Sequence, residues 1–231
     1  MKRYENLTTV ALITTSIAGL AAMTLFGTIA TSPNVRADDD REESRIQRGL
    51  QIAPVPLNLA AKNRALAGLG SYLMNAASDC NGCHNSGQPP NFEFLAGHNP
   101  YLLIPRTNVN QPKQLNPAVY LGGGQIFGTA DGGPVTVDNP LIVSRNLTPD
   151  KTGLPEGGHT LAEFKQIMRT GIDFDHVHPN LPSGVDGSRL QVMPWPYFQN
   201  MTDHDLDAIY EYLSAIPCVE GGPGEPLHRC K

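Results

Sequence analysis

The sequence predicts a mostly α-helical protein in which short helices are joined by long irregular loops. Three observations support this fold class. The chain has 23 Gly and 20 Pro among 231 residues, which favours short elements and much irregular structure. Residues 160–171 and 202–217 carry helix start and stop signals. No segment shows the sustained alternation of a half-buried strand, and there is no internal repeat. The length fits one folded domain.

The first 37 residues have the layout of a targeting segment. Two basic residues near the start precede an apolar run at residues 10–30, and the small residue Ala37 stands before three aspartates. A basic start, an apolar middle and a small residue at the cleavage site are typical of a secretory signal peptide. The alternative is an uncleaved membrane anchor through residues 10–30, because the run has about 20 residues. Both interpretations place the rest of the chain outside the cytoplasm.

The next segments are read from composition and periodicity. Residues 38–57 are charged and then contain prolines, which predicts a linker or an extended arm. Residues 58–77 are rich in Ala and Leu and predict a helix. Gly68 and Gly70 weaken this prediction, because each glycine inside a helix costs about 1 kcal/mol relative to Ala. Residues 85–145 are dense in Gly, Pro and Asn and predict long loops with room for a short hairpin.

Two later helices carry explicit end signals. Thr160 and Glu163 fit a capping box, in which each side chain binds the other residue's backbone N–H, and Gly171 fits the end of that helix. Thr202 begins a second helix, whose first turn is acidic and suits the helix dipole. An apolar stripe runs along this second helix, and Pro217 ends the helix.

The motif that carries chemistry is Cys80-Asn81-Gly82-Cys83-His84, the attachment signature of a c-type haem. Two thiols three positions apart on one helical turn can each bond a vinyl group of one porphyrin. The adjacent histidine then offers a ring nitrogen to the iron as the proximal ligand. The motif occurs once, so the sequence predicts one covalently bound haem c.

Other interpretations of this motif are weaker. A zinc site needs two more ligands at matching spacing, and Cys218 and Cys230 are too far apart in sequence to supply them well. A thioredoxin-like dithiol needs a βαβ context, which the sequence lacks. A disulfide between Cys80 and Cys83 would leave His84 unexplained. Because the chain is predicted to be exported, we expect the two spare cysteines, Cys218 and Cys230, to form a disulfide, with two free thiols as the alternative.

A haem that only carries electrons needs a sixth iron ligand from elsewhere in the chain. A methionine thioether favours ferrous iron and raises the reduction potential. The methionines after the motif are Met168, Met193 and Met201. Met168 falls on the apolar face of a predicted helix, whereas Met193 lies in an irregular stretch before Pro-Trp, so Met193 is the preferred distal ligand. The alternatives are the remaining histidines: His98, His159, His176, His178, His204 and His228.

Several segments resemble the cytochrome c subunits of bacterial dehydrogenases and the wider cytochrome c family. The similar segments are residues 70–84 with the haem motif, 146–153, 163–171, and 193–213, which together span most of residues 65–217. The resemblance implies a cytochrome c fold, in which the first and last helices cross next to the haem. It also implies that the methionine of Met-Pro-aromatic, Met193, is the distal iron ligand.

The chain also departs from that family. Those subunits often carry three haem domains, whereas this sequence has one haem motif, and its segment 98–120 is longer than usual. The predicted organisation is a signal peptide or anchor at 1–37, a linker at 38–57, a cytochrome c-like domain with long loop insertions at 58–217, and a tail at 218–231 that a disulfide can close.

The expected function follows from the motif and the charge. The formal charge of −5 disfavours nucleic-acid binding, which requires a basic surface. With His84 and Met193 on the iron, we expect an electron carrier rather than an enzyme, exported to the periplasm and either soluble or anchored. Its partners would be redox proteins such as a dehydrogenase or a terminal acceptor. The alternative is a haem enzyme or a gas-binding sensor with an open sixth site.

Overall fold

The computed structural model describes residues 33–85, 118–129, 140–175, 181, 183–220 and 229–231. This part of the chain is mostly helical and contains one two-stranded sheet, in agreement with the predicted fold class. Its elements are, in chain order, α1 (Pro33–Ile52), α2 (Arg64–Tyr72), α3 (Cys80–His84), β1 (Ile126–Thr129), β2 (Pro140–Val143), α4 (Leu161–Thr170), α5 (Trp195–Phe198) and α6 (Asp203–Ala215).

Helix α1 corrects the prediction for residues 38–57. We expected a linker or an extended arm, but this segment is helical as far as Ile52. Ile46 is buried, and Leu50 packs against the hydrophobic core. The helix is otherwise charged and polar, so its apolar stripe is too narrow to stand out in the sequence. Packing against α2 stabilises it, because most helical stability in proteins comes from tertiary contacts.

Helix α2 begins at Arg64, later than the predicted residue 58, because Asn63 caps it. The Asn63 side chain accepts hydrogen bonds from the backbone N–H groups of Ala65 and Leu66. The helix continues as a π-helical turn over Leu73–Ala77. It packs against α1 on one side and α6 on the other.

The two glycines of α2 mark these helix contacts. A Cβ atom at Gly68 would lie 2.8 Å from the Ile46 carbonyl oxygen of α1. A Cβ atom at Gly70 would lie 2.0 Å from the Ala208 carbonyl oxygen of α6. The glycines that weaken the helix prediction are therefore the residues that let three backbones approach closely.

Both predicted helix caps are confirmed. Thr160 and Glu163 form a capping box at the start of α4, and Gly171 ends the helix in a left-handed conformation with φ 67°. Thr202 and Asp205 form a second capping box at the start of α6. Helix α6 ends at Ala215, two residues before Pro217, as expected because a proline disfavours helical backbone at the preceding residue.

Strands β1 and β2 pair in antiparallel fashion, with Ile126 opposite Val143 and Phe127 opposite Ile142. They lie inside the segment in which we predicted long loops with room for a short hairpin. The long insertion predicted around residues 98–120 lies almost entirely outside the described residues. Residues 144 and 145 follow β2 directly in the chain. The sheet thereby positions them beside the haem motif.

The hydrophobic core lies between α2, α4 and α6, with Phe164 and Met168 buried as the α4 contribution. Its polar centre is a hydrogen-bonded triad. The Tyr120 hydroxyl lies 2.6 Å from Asn75 Oδ1 and 2.8 Å from the Tyr212 hydroxyl. None of the described helices is long and apolar enough to cross a membrane, and residues 10–30 lie outside the described part of the chain.

Candidate haem site

The haem motif forms the short helix α3. Cys80, Cys83 and His84 are therefore neighbours on the surface of this helix, because residues three and four positions apart share one face. Both cysteines are free thiols in the structure; Cys80 is half-buried against the core and Cys83 is exposed. The loop at residues 121–123 fixes this helix from one side. Its Leu121 backbone N–H donates to the Asn81 side chain at 2.9 Å, and its Gly123 N–H donates to the His84 carbonyl at 2.7 Å.

The surroundings of the two cysteines favour the protonated thiols. Burial and the nearby Asp79 carboxylate raise the pKa of Cys80 to about 12. The pKa of the more exposed Cys83 is also raised, by the partial burial of its thiol and by Asp79. Neutral thiols are weak metal ligands and weak nucleophiles, because the thiolate is the reactive form. In this protonation state the pair is therefore a poor thiolate site for a metal ion.

The His84 imidazole is held by one hydrogen bond. Its Nδ1 lies 2.8 Å from the backbone carbonyl oxygen of Arg145. A carbonyl oxygen only accepts, so Nδ1 carries the proton and Nε2 keeps a free lone pair. Burial lowers the pKa of His84, the carbonyl contact opposes this effect, and the Arg145 charge lowers the pKa further. A neutral ring with an oriented Nε2 is the form that ligates a metal.

The Arg145 side chain is itself buried in a cluster of acidic groups. Its guanidinium lies 2.7 Å from Asp173 Oδ1, 2.8 Å from Asp175 Oδ2 and 3.3 Å from Glu156 Oε1. Only 12% of the Arg145 side chain is exposed, and Asp173 is fully buried. A buried cation requires such partners, because an unpaired one is strongly destabilising. We refer to these four residues as the Arg145 cluster.

Three carboxyl groups share this single guanidinium, and Glu156 is affected most. Burial raises the pKa of Glu156 to about 8, and the charges of Asp173 and Asp175 contribute to the rise although Arg145 opposes it. The neighbouring His159 contacts Glu156 through Nδ1 at 3.4 Å, and burial lowers the pKa of His159. At neutral pH the cluster is therefore best described with Glu156 protonated and His159 neutral.

Met193 lies just before α5, half-buried and packed against the hydrophobic core that Cys80 also contacts. Helix α5 packs against α4. The contact is made by Trp195, whose indole lies so close to Gly171 that a Cβ atom there would be 2.3 Å away. The Arg189 guanidinium covers the indole at 5.9 Å from its centroid. The Met193 segment is thus attached to the end of α4.

The other methionines and histidines fall into distinct environments. Met168 is buried in α4 as expected for a core residue, and Met201 is half-buried before α6. His159 faces Glu156 and Asp175, and the exposed His204 lies 3.3 Å from Glu42. The remaining histidines, His98, His176, His178 and His228, lie outside the described residues. Within the described part of the chain, no group of three or more His, Cys, Asp or Glu side chains is arranged to hold a metal ion.

The tail contacts the segment that follows Arg145. The structure joins Cys218 and Cys230 by a disulfide bond across a sequence separation of 12 residues. Beside it, the Asn146 side chain donates to the Val219 carbonyl at 2.9 Å, and the Val219 N–H donates to the Thr148 hydroxyl at 3.0 Å. The tail therefore fixes residues 146–148, next to the carbonyl that binds His84.

Sequence reasoning did not find the groups around His84. The Arg145 carbonyl is a backbone group, and no side-chain pattern indicates which carbonyl faces a given histidine. Glu156 and Asp173 read as ordinary loop carboxylates, because nothing local shows that they are buried. Their chemistry follows from contacts between segments 11 to 28 residues apart.

Comparison with known proteins supports the resemblance to dehydrogenase subunits. The chain is 36% identical over 92 residues to the cytochrome c subunit of a quinone alcohol dehydrogenase from Gluconacetobacter polyoxogenes. It is 32% identical over 94 residues to the cytochrome c subunit of a gluconate 2-dehydrogenase from Pantoea cypripedii. The chain is a partial homologue of bacterial cytochrome c subunits. It is also 32% identical over 106 residues to one of the subunits of a nicotinate dehydrogenase from Pseudomonas putida.

The similar region covers 38–43% of this chain and only 8–18% of these relatives. The chain therefore spans less than a fifth of the length of the relatives it matches. No protein-family model matches the chain, and no solved structure matches it.

Proposed function

We propose that this protein carries one covalently attached haem c and transfers single electrons between redox proteins outside the cytoplasm. The proposal assigns thioether bonds to Cys80 and Cys83, the proximal iron ligand to His84 and the distal ligand to Met193. The haem supplies a reversible one-electron couple when bound. The protein would then be an electron carrier or a carrier subunit of a dehydrogenase complex, without substrate chemistry of its own.

One observation carries this proposal: His84 follows two free thiols on the same helix, and its Nδ1 is engaged by the Arg145 carbonyl. This hydrogen bond fixes the tautomer and leaves Nε2 available. A metal-ligating histidine almost always donates its other ring N–H to such an acceptor. The donor set of two thiols and one oriented neutral imidazole fits a c-type haem.

The assignment of Met193 is supported by its environment and by the family resemblance. The residue is half-buried against the core cluster that Cys80 also contacts. Buried Met168 supports the core instead. A thioether at the sixth position would close the iron to small ligands and favour the ferrous state, as an electron carrier requires.

The partners and location are proposed on the same basis. Relatives named as cytochrome c subunits are parts of an alcohol dehydrogenase and a gluconate dehydrogenase. We infer that the partner of this chain is likewise a dehydrogenase or the acceptor that follows it. The basic start and the apolar run before Ala37 support export to the periplasm, with cleavage or with retention of residues 10–30 as a membrane tether.

The test is an optical spectrum of the matured protein in its oxidised and reduced forms. We expect a low-spin haem c spectrum and the weak near-infrared band of methionine-ligated ferric haem. Met193→Ala should abolish that band and allow carbon monoxide to bind the reduced protein. Met201→Ala is the matched control, because Met201 is also half-buried against the core, and this variant should keep the band.

The outcomes separate the two functional hypotheses. A wild-type band that Met193→Ala removes and Met201→Ala keeps establishes His84 and Met193 as a closed ligand pair. A wild-type protein that lacks the band and binds carbon monoxide readily would instead be a haem enzyme or a gas sensor with an open site. Absence of covalent haem after maturation would overturn the proposal entirely.

A further inference from the structure

Arg145 contacts the proposed proximal ligand through its backbone and the acidic cluster through its side chain. The carbonyl oxygen accepts from His84 Nδ1 at 2.8 Å, while the guanidinium binds Asp173 at 2.7 Å and Asp175 at 2.8 Å. Any residue could supply the carbonyl. The buried side chain is a separate feature, because burying a cation is unfavourable unless ion pairs compensate it.

The guanidinium connects segments that are distant in sequence. Glu156 lies in the short helical turn before α4, and Asp173 and Asp175 follow the end of α4. The position of residue 145 is therefore tied to both ends of the helix. The fork of an arginine fixes orientation as well as distance, because it presents several N–H donors in one plane.

The backbone on both sides of Arg145 is also held. The Gly124 N–H donates to the Ser144 carbonyl at 2.7 Å, and the Leu147 N–H donates to the Leu121 carbonyl at 2.9 Å. These bonds fix the neighbours of residue 145. The Arg145 peptide itself packs closely on Gly123, where a Cβ atom would lie 2.7 Å from the Arg145 carbonyl oxygen. The ion pairs of the side chain add a second restraint on the same residue.

We propose that Arg145 is a positioning residue for the proximal iron ligand: its ion-paired guanidinium aims the carbonyl that holds His84 Nδ1, and so fixes the imidazole. This inference rests on the proposed ligation of the haem by His84. A histidine whose Nδ1–H is firmly bound is a more basic ligand, and hydrogen bonds beyond the ligands tune the metal. A loosened bond makes the ring a weaker electron donor, which favours ferrous iron and raises the midpoint potential.

The test compares Arg145→Lys and Arg145→Gln with the wild-type holoprotein at one fixed pH. Two quantities are measured: the midpoint potential, and the solvent exchange rate of the His84 Nδ1 proton by NMR of the ferric protein. We expect exchange to be about tenfold faster in both variants, the factor that corresponds to losing one ordinary hydrogen bond. We expect the midpoint potential to rise in both.

The two variants distinguish positioning from charge alone. Loss of a nearby positive charge by itself favours ferric iron, so it would lower the potential of Arg145→Gln and leave Arg145→Lys unchanged. That pattern, with unchanged proton exchange, would overturn the proposal. Arg45→Lys is the control, because Arg45 forms its ion pair with Glu42 within α1 instead of with the cluster. It should change neither quantity.

A milder variant covers the case in which substitution of Arg145 prevents maturation. Asp175 is the exposed member of the cluster, with 40% of its side chain accessible, and Asp175→Asn removes one ion pair while keeping the guanidinium. We expect a smaller acceleration of proton exchange, and an unchanged rate would overturn the proposal. A wild-type protein that carries no haem, or lacks histidine ligation, would instead refute the function on which this inference rests.

Discussion

Gly70 of α2 lies directly against Ala208 of α6, so that a Cβ atom at position 70 would be 2.0 Å from the Ala208 carbonyl oxygen and 2.7 Å from Tyr212 Cβ. The nearest obstacle is backbone, which cannot move aside by changing a rotamer. The crossing of these two helices therefore depends on the absence of a side chain at one position.

We expect Gly70→Ala to destabilise the protein. Alanine would favour the helix by about 1 kcal/mol in an open site, but the overlap with α6 should outweigh this gain and leave a net loss of about 2 kcal/mol. Urea unfolding of the purified protein measures the change. Gly187→Ala is the control, because its nearest neighbour is a flexible Leu181 side-chain carbon at 3.3 Å. Equal stability of the two variants would contradict the proposed close crossing.

The buried tyrosine triad gives a second prediction. Tyr120→Phe removes the hydroxyl between Asn75 Oδ1 and the Tyr212 hydroxyl and leaves those groups without that partner. The free energy of unfolding should fall by about 1–3 kcal/mol. Tyr197→Phe is the matched control. It also removes one hydroxyl, but Tyr197 is 80% exposed, so its stability should change little. Thermal and urea unfolding both measure the difference.

The raised pKa of Glu156 predicts how the free energy of unfolding depends on pH. Its pKa is raised to about 8 in the folded protein from an ordinary value of 4.5. Between these values the folded state keeps a proton that the unfolded chain has released, so this group makes stability fall as pH rises. The slope cannot exceed about 1.4 kcal/mol per pH unit for one proton. Glu156→Gln has no such proton and should gain stability relative to wild type as pH rises.

The measurement is a series of urea unfolding curves between about pH 5 and pH 8 for wild type and variant. His159 titrates in both proteins, so the difference between the two series reports Glu156 together with the neighbours that its proton affects. Glu43→Gln on the exposed face of α1 is the control and should run parallel to wild type. A constant difference between wild type and Glu156→Gln across this range would show that Glu156 is ionised in the folded protein.

Loss of the tail disulfide should destabilise the fold. Replacing Cys218 and Cys230 together by Ser opens a closed loop and should lower the free energy of unfolding by about 3 kcal/mol. A thiol reductant should have the same effect on wild type and none on the double variant, because the thioether bonds proposed at Cys80 and Cys83 would resist reduction. A reductant effect that persists in the double variant would place the sensitive bond elsewhere.

Local signals in the sequence predicted the elements that depend on near neighbours. The capping box predicted at Thr160 and the acidic first turn after Thr202 gave the starts of α4 and α6, because both signals lie within a few residues of the helix start. The haem motif is likewise local, because it is contained in five consecutive residues. The core position of Met168 followed from helical periodicity.

Contacts between distant residues could not be predicted. Helix α1 is held by packing on α2, so a charged sequence with few apolar positions predicted a linker instead. Gly70 reads as a helix weakness until α6 is placed against it. The partner of His84 is a backbone carbonyl 61 residues away, which no side-chain pattern reveals. The role of Met193 remains a prediction that the spectra will test.

The contacts of the tail also order the events of biosynthesis. The segment after Arg145 receives hydrogen bonds from Val219 and from Arg229, which donates to the Thr148 carbonyl at 2.8 Å. A ribosome makes residue 84 more than 100 residues before these two, at about 5–20 residues per second. The contacts that hold the segment next to His84 are therefore completed only after residues 219 and 229 have been synthesised. Translation thus sets the earliest time at which His84 reaches its final surroundings.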